Sequence, residues 1–279
     1  MFRYLLLLLI FGCCVVCENV QSFGDSVTIR SSSKWFEIQS FESGPSAAQV
    51  LVLCEELRAE LFRVWGGVDH SPIWEPRCKI RVHQTRTSYL QKVGSNGGQT
   101  SGCSLIQLDS GRIVCREIDL LLNNQGELPA LPHELTHIVL ADKFRGRQPP
   151  HWIDEGIAML ADTTGKQNLH ERDCHEAIMS GNAMTVFQIV TLESFSSPGQ
   201  MPAFYGQSLS LVRMLAERAS PEKIIEFAND SFDRGVGAAL KHHYSFNGID
   251  ELEKAWRNYV FRKSRSESQV AVVSVSFKP

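Results

Sequence analysis

The chain has 279 residues, of which 43% are hydrophobic and 21% charged, and its formal net charge is -3. That composition gives a globular protein with enough apolar material for one large domain or two small ones. A near-neutral balance without long like-charged runs excludes the basic footprint of a nucleic-acid binder.

Residues 1–17 read as a signal peptide. Arg3 supplies the positive start, and 5–17 is almost wholly apolar. Thirteen residues make about 20 Å of helix, short of the roughly 30 Å of a bilayer core. The expectation is export to the periplasm, the cell envelope or the outside, with membrane association only through this leader. Cys13, Cys14 and Cys17 stand where a cleavage site wants small residues, and Ile10-Phe11-Gly12-Cys13 weakly matches a lipoprotein box. A lipid anchor and a retained membrane anchor therefore stay open as alternatives.

Residues 18–33 are polar and serine-rich, a loose lead-in. KWFEIQS (34–40) alternates and predicts a strand. AAQVLVLCEELRAELFRVW (47–65) has apolar residues at helical spacing and predicts a long amphipathic helix ended by Gly66-Gly67. KIRVHQT (79–85) is the next strand, 87–93 a short helix, and the Gly/Ser/Asn-rich 94–102 a loop. A hairpin over 103–120 follows, with Asp109-Ser110-Gly111 at its turn. Cys54, Cys78, Cys103, Cys115 and Cys174 lie beyond the leader and are odd in number, so at least one has no partner within the chain. A turn centred on Asp109 would set Cys103 opposite Cys115, ready for a disulfide in an oxidising compartment. Two small apolar residues on a buried face is the competing reading.

From residue 128 the pattern turns helical. Helices are expected from about 129, over 152–162, 205–218, 221–229 and 249–261, with mixed short elements over 163–200. Residues 262–268 are charged and read as disordered, and 271–277 (AVVSVSF) looks like a lone strand. Strand-rich first and helix-rich after, this order argues for an α+β fold: sheet-rich 34–127, helical 128–261, then a polar tail over 262–279.

The chemistry lies between 128 and 156, in LPALPHELTHIVLADKFRGRQPPHWIDEG. His133-Glu134-Leu135-Thr136-His137 is an HExxH string, of which roughly 0.02 copies are expected by chance in a chain of this composition. On a helix His133 and His137 share a face and can grip one metal ion, with Glu134 beside them. Pro132 is tolerable only in a first turn, which sets His133 near the helix start. Catalytic zinc takes three protein ligands, so one more is needed. The position that would hold a third His in one zinc class is Lys143, which excludes that class. Glu155, opening the next helical pattern 18 residues beyond His137, is the best third ligand; His151 and Asp154 are its rivals. Asp154 could orient a metal-bound His, since such rings usually donate to a carboxylate or carbonyl.

HExxH followed by PxWxxEG resembles the gluzincin metallopeptidases, and most closely the peptidase MA-like domain proteins of bacteria. The resemblance is carried by PHELTHIVLADKF, PPHWIDEGIAMLAD and YGQSLSLVRML and extends over about 34–261. It implies a thermolysin-like core with one Zn2+, Glu134 as general base, Glu155 as third ligand and Tyr205 stabilising the transition state. It also implies a peptide or protein substrate, bound along one arm of the 103–120 hairpin. The thermolysin subgroup has an aspartate four residues after its ligand glutamate; Met159 stands there. No glycine-rich exopeptidase motif precedes the metal helix, which removes the case for an aminopeptidase and leaves an endopeptidase as the expectation.

Other histidines (His170, His175, His242, His243) read as surface or capping residues. Trp152, Phe144, Trp256 and Phe261 read as packing, and Tyr205 could equally be a buried aromatic at a helix start. Two function classes remain: an exported zinc endopeptidase, and a catalytically silent module that keeps the fold for binding. The presence of a base, three ligands and a tyrosine favours the first.

Overall fold

A computed structural model describes residues 28–41, 44–66, 73–144 and 146–275. The expected signal peptide lies outside the described residues. The chain separates into two compact units, Met1–Pro149 with Ala161–Thr163, and Pro150–Leu160 with Thr164–Pro279.

The first unit is a five-stranded mixed sheet with helices on it. Its elements are β1 (Thr28–Ser32), β2 (Phe36–Phe41), α1 (Ala47–Gly66), β3 (Cys78–His83), α2 (Arg86–Val93), a 3-10 turn (Ser95–Gln99), β4 (Gly102–Asp109), β5 (Arg112–Leu121) and α3 (Leu131–Lys143). The strand order is β1-β2-β3-β5-β4. β2, β3 and β5 run parallel, while β1 and β4 are antiparallel edges. β1 corrects the reading of 18–33 as a lead-in throughout: five residues of it pair along β2. Alternation buries Phe36, Ile38, Ile80 and Val82, and α1 packs against β2 and α3. Tyr89 and Val93 of α2 pack on Leu121. Leu121 shares its face with Arg81, His83 and Asp119, by the pairing of β3 with β5.

Those three polar residues form a buried network. Arg81 Nε and His83 Nε2 each lie 2.8 Å from Asp119 Oδ1, and His83 Nδ1 lies 2.9 Å from Ser88 Oγ. Burial raises the Asp119 carboxyl, but its hydrogen bonds from His83 and Arg81 outweigh that and hold it below the usual carboxylate range.

The hairpin turn overturns the Cys103–Cys115 pairing. Ser110 and Gly111, with φ of 50° and 76°, make the tight turn, and Asp109 faces Arg112. With a bulge at Gln107/Leu108, Cys103 faces Asp119 and Cys115 faces Gln107. The cysteines are thus four residues apart along the ladder, roughly 13 Å, against the roughly 7 Å a disulfide tolerates. Cys103 and Cys115 are not joined to each other, and Cys54 and Cys78 are buried free thiols.

The second unit is helical: α4 (His151–Leu160), α5 (Thr164–Met179), α6 (Val186–Val190), a 3-10 turn (Pro198–Gln200), α7 (Met201–Arg218), α8 (Pro221–Arg234), α9 (Val236–Tyr244) and α10 (Ile249–Val275). α4 and α5 both pack on α7. Each approach is made at a glycine. A Cβ at Gly156 would meet Val212 Cγ2 at 2.4 Å and Ser208 O at 2.7 Å, and one at Gly206 would meet His170 O at 2.4 Å. Trp256 is fully buried and donates to Ser210 Oγ at 3.0 Å. Trp152 and Phe144 are core as expected, whereas Phe261 is 49% exposed. α10 runs through 262–275, correcting the expected disorder and lone strand there: no glycine or proline interrupts the helix after Ile249. Residues 276–279 lie outside the described part. Sheet first and helices after, the fold is α+β. Among the described residues no helix is long and apolar enough to cross a membrane.

Candidate metal centre

In the first unit, α3 presents the HExxH residues. Leu131 and Pro132 open the helix, so the missing proline N–H falls in the first turn, where helix N–H groups have no internal acceptor. Glu134 N donates to Ala130 O at 3.0 Å and Thr136 Oγ1 to Pro132 O at 2.7 Å. Residues 135–141 are buried, which anchors the helix along its length. His133 and His137, one turn apart, place their rings 5.0 Å between centroids at 74°. A ring nitrogen of each lies within 4.8 Å of the other, a separation that one metal ion can bridge with small rotations.

His133 Nδ1 lies 3.1 Å from Oδ2 of Asp162. A carboxylate at Nδ1 fixes the proton there and leaves Nε2 with its lone pair outward, the tautomer a metal requires. The Asp162 side chain is only 1% exposed. The sequence reading missed it. Met159 occupies the position four residues beyond Glu155, and Asp162 stands seven beyond it, two residues past the end of α4.

Glu134 is 5% exposed, and its buried Oε2 has no hydrogen-bond partner. Buried carboxylates are ordinarily paired, so this one keeps acceptor capacity in reserve. The start of β4 sets its position. A Cβ at Gly102 would meet Glu134 Cγ and Oε1 at 2.7 Å and Ala130 Cβ at 2.6 Å. Gly102 was read only as the end of a loop, and nothing in the local sequence marks this close approach.

In the second unit, Glu155 and Asp154 lie on α4, each 1% exposed. His151, one rival ligand, is one turn before Glu155, with Nε2 3.8 Å from its Oε1. His151 packs on Phe204 at 4.7 Å and Phe195 at 6.0 Å between centroids. Tyr205 is half-buried near the start of α7, 6.2 Å from both Phe195 and His170 and 5.6 Å from Phe204. α4 and α7 are thus the two helices that carry Glu155 and Tyr205, packed together through Gly156.

α3 of the first unit thus carries His133, Glu134 and His137, and α4 of the second carries Glu155. Residues 114–262 match the family model of the Peptidase MA superfamily. That is more than half of the chain, and the chain belongs to this superfamily. No curated protein is similar enough to count as a match.

Proposed function

We propose that this chain is a zinc-dependent peptidase that cleaves peptide bonds within a peptide or protein substrate. The observation that carries the reading is Glu134: a buried carboxylate with an unengaged oxygen, adjacent in the chain to a histidine whose Nδ1 lies 3.1 Å from the Asp162 carboxylate. His133, His137 and Glu155 hold the ion in this reading. Two imidazoles and one carboxylate are a donor set able to hold a metal ion, and such a set suits zinc with one position left open. Zinc there supplies a Lewis acid that acidifies water and polarises the scissile carbonyl.

The chain's own groups do the rest. Glu134 accepts a proton from the attacking water and passes it to the leaving amine. Asp162 keeps His133 in one tautomer throughout. Tyr205 donates a hydrogen bond to the oxyanion that develops on the substrate. β4, paired only with β5 among the described strands, offers its free edge to an extended substrate backbone. The basic start and apolar run of residues 1–17 support a reading in which this activity acts outside the cytoplasm.

The test measures zinc content and hydrolysis of an unfolded protein by the wild-type chain and by Glu134→Gln. Both should hold zinc, and the variant should lose about 100-fold or more in rate. Equal rates would sink the peptidase reading, and zinc without hydrolysis in either would point to a silent binding module.

A further inference from the structure

The helical hairpin of α8 and α9 brings together a second set of metal-type donors. Asp230 on α8 and His242 and His243 on α9 each offer one ligand atom, and these atoms lie within 4.8 Å of one another. His243 Nε2 lies 3.2 Å from Asp230 Oδ2. Two ligands at about 2.1 Å from one tetrahedral ion stand about 3.4 Å apart, so this pair needs almost no movement to share a metal. The rings of His242 and His243 lie 4.7 Å apart at 84°. His242 is exposed and free to swing the remaining distance.

Three further features favour a site over a plain ion pair. The His243 side chain is only 8% exposed, and its Nδ1 is buried without a hydrogen-bond partner. That ring is fixed against Phe227 rather than loose on the surface. Glu226 Oε2 lies 3.9 Å from His243 Nδ1, so a second carboxylate stands by on α8. Arg234 Nε binds Asp230 Oδ1 at 2.8 Å, which orients the carboxylate and leaves Oδ2 for His243.

We propose that Asp230, His242 and His243 form a metal site for one divalent transition-metal ion of the zinc, nickel or copper type. Two imidazoles and a carboxylate select that group over magnesium or calcium, which prefer all-oxygen sets. The ion would clip α8 to α9 across Gly235, the residue that separates them.

The test uses the untagged full chain and counts Zn2+ retained after equilibrium dialysis. His242→Ala, an exposed change that leaves the helix packing alone, should lower the count by one ion per chain relative to wild type. Asp230→Asn should do the same. Zinc should also raise the thermal midpoint of wild type more than that of either variant. Because the readout is a difference, it stands whether or not the HExxH residues bind zinc. An unchanged ion count in both variants would overturn the proposal.

Discussion

His133 Nδ1 and Asp162 Oδ2 stand 3.1 Å apart although 29 residues separate them in the chain. Orienting carboxylates of this kind are commonly worth about 10–100-fold in metal affinity or activity. Asp162→Asn should therefore keep the fold and weaken zinc binding by about that factor, because an amide can no longer enforce the Nδ1–H tautomer. Zinc competition against a chromophoric chelator checks this; an unchanged affinity would remove Asp162 from the site.

Gly102 has no room for a side chain. Gly102→Ala drives a methyl into Glu134 and Ala130 at contact distances of 2.6–2.7 Å. Overpacking of this kind costs about 1–3 kcal/mol. Hydrolysis should fall further than stability alone explains, since the displaced group is the proposed base. Chemical denaturation run beside a peptidase assay separates the two effects.

Acid should act through Asp119. Its carboxyl lies below the usual range in the folded chain, because the hydrogen bonds from His83 and Arg81 outweigh burial. A group depressed in this way contributes stability above the ordinary carboxylate pKa and loses that contribution as the pH falls through the folded value. Asp119→Asn should cost about 1.5–3 kcal/mol at neutral pH, with the gap to wild type closing in acid. Urea midpoints taken across the acid range test the sign. Parallel curves would show that Asp119 does not carry the effect.

Thiol labelling tests the cysteine assignment. Burial pushes the Cys54 thiol up to about 12, with Glu55 adding to it, and raises Cys78 well above the ordinary thiol value. At about pH 8 an alkylating reagent should leave both unmodified in the folded chain and modify them on unfolding. Mass spectrometry should find no Cys103–Cys115 linkage under oxidising conditions. A linked peptide would refute the hairpin register.

Much of the site was legible because its determinants are local. A four-residue spacing puts His133 and His137 on one helix face, and Pro132 marks that helix's first turn. Glu155 was reached through motif and spacing, and α4 does bury it. What escaped depends on contacts distant in sequence. Asp162 and Gly102 act by position against α3, and neither spacing nor composition encodes that. α5 is one long helix where short helices and loops are expected, because only Cys174 and Ala177 of its 16 residues are buried, which leaves no apolar stripe to detect. The hairpin register turned on a choice between Asp109 and Ser110-Gly111 as the turn, and a shift there moves every cross-strand partner.

The chain passes from the first unit to the second after Pro149, returns for Ala161–Thr163, and leaves again at Thr164. Dividing the polypeptide into two separately expressed pieces at residue 149 would therefore cut across the chemistry. The leading piece would hold both imidazoles and Glu134 but not the Asp162 carboxylate that orients one of them. Adding a peptide spanning 150–163, which carries α4 and its Glu155 as well as Asp162, asks whether that segment restores the missing proton constraint in trans.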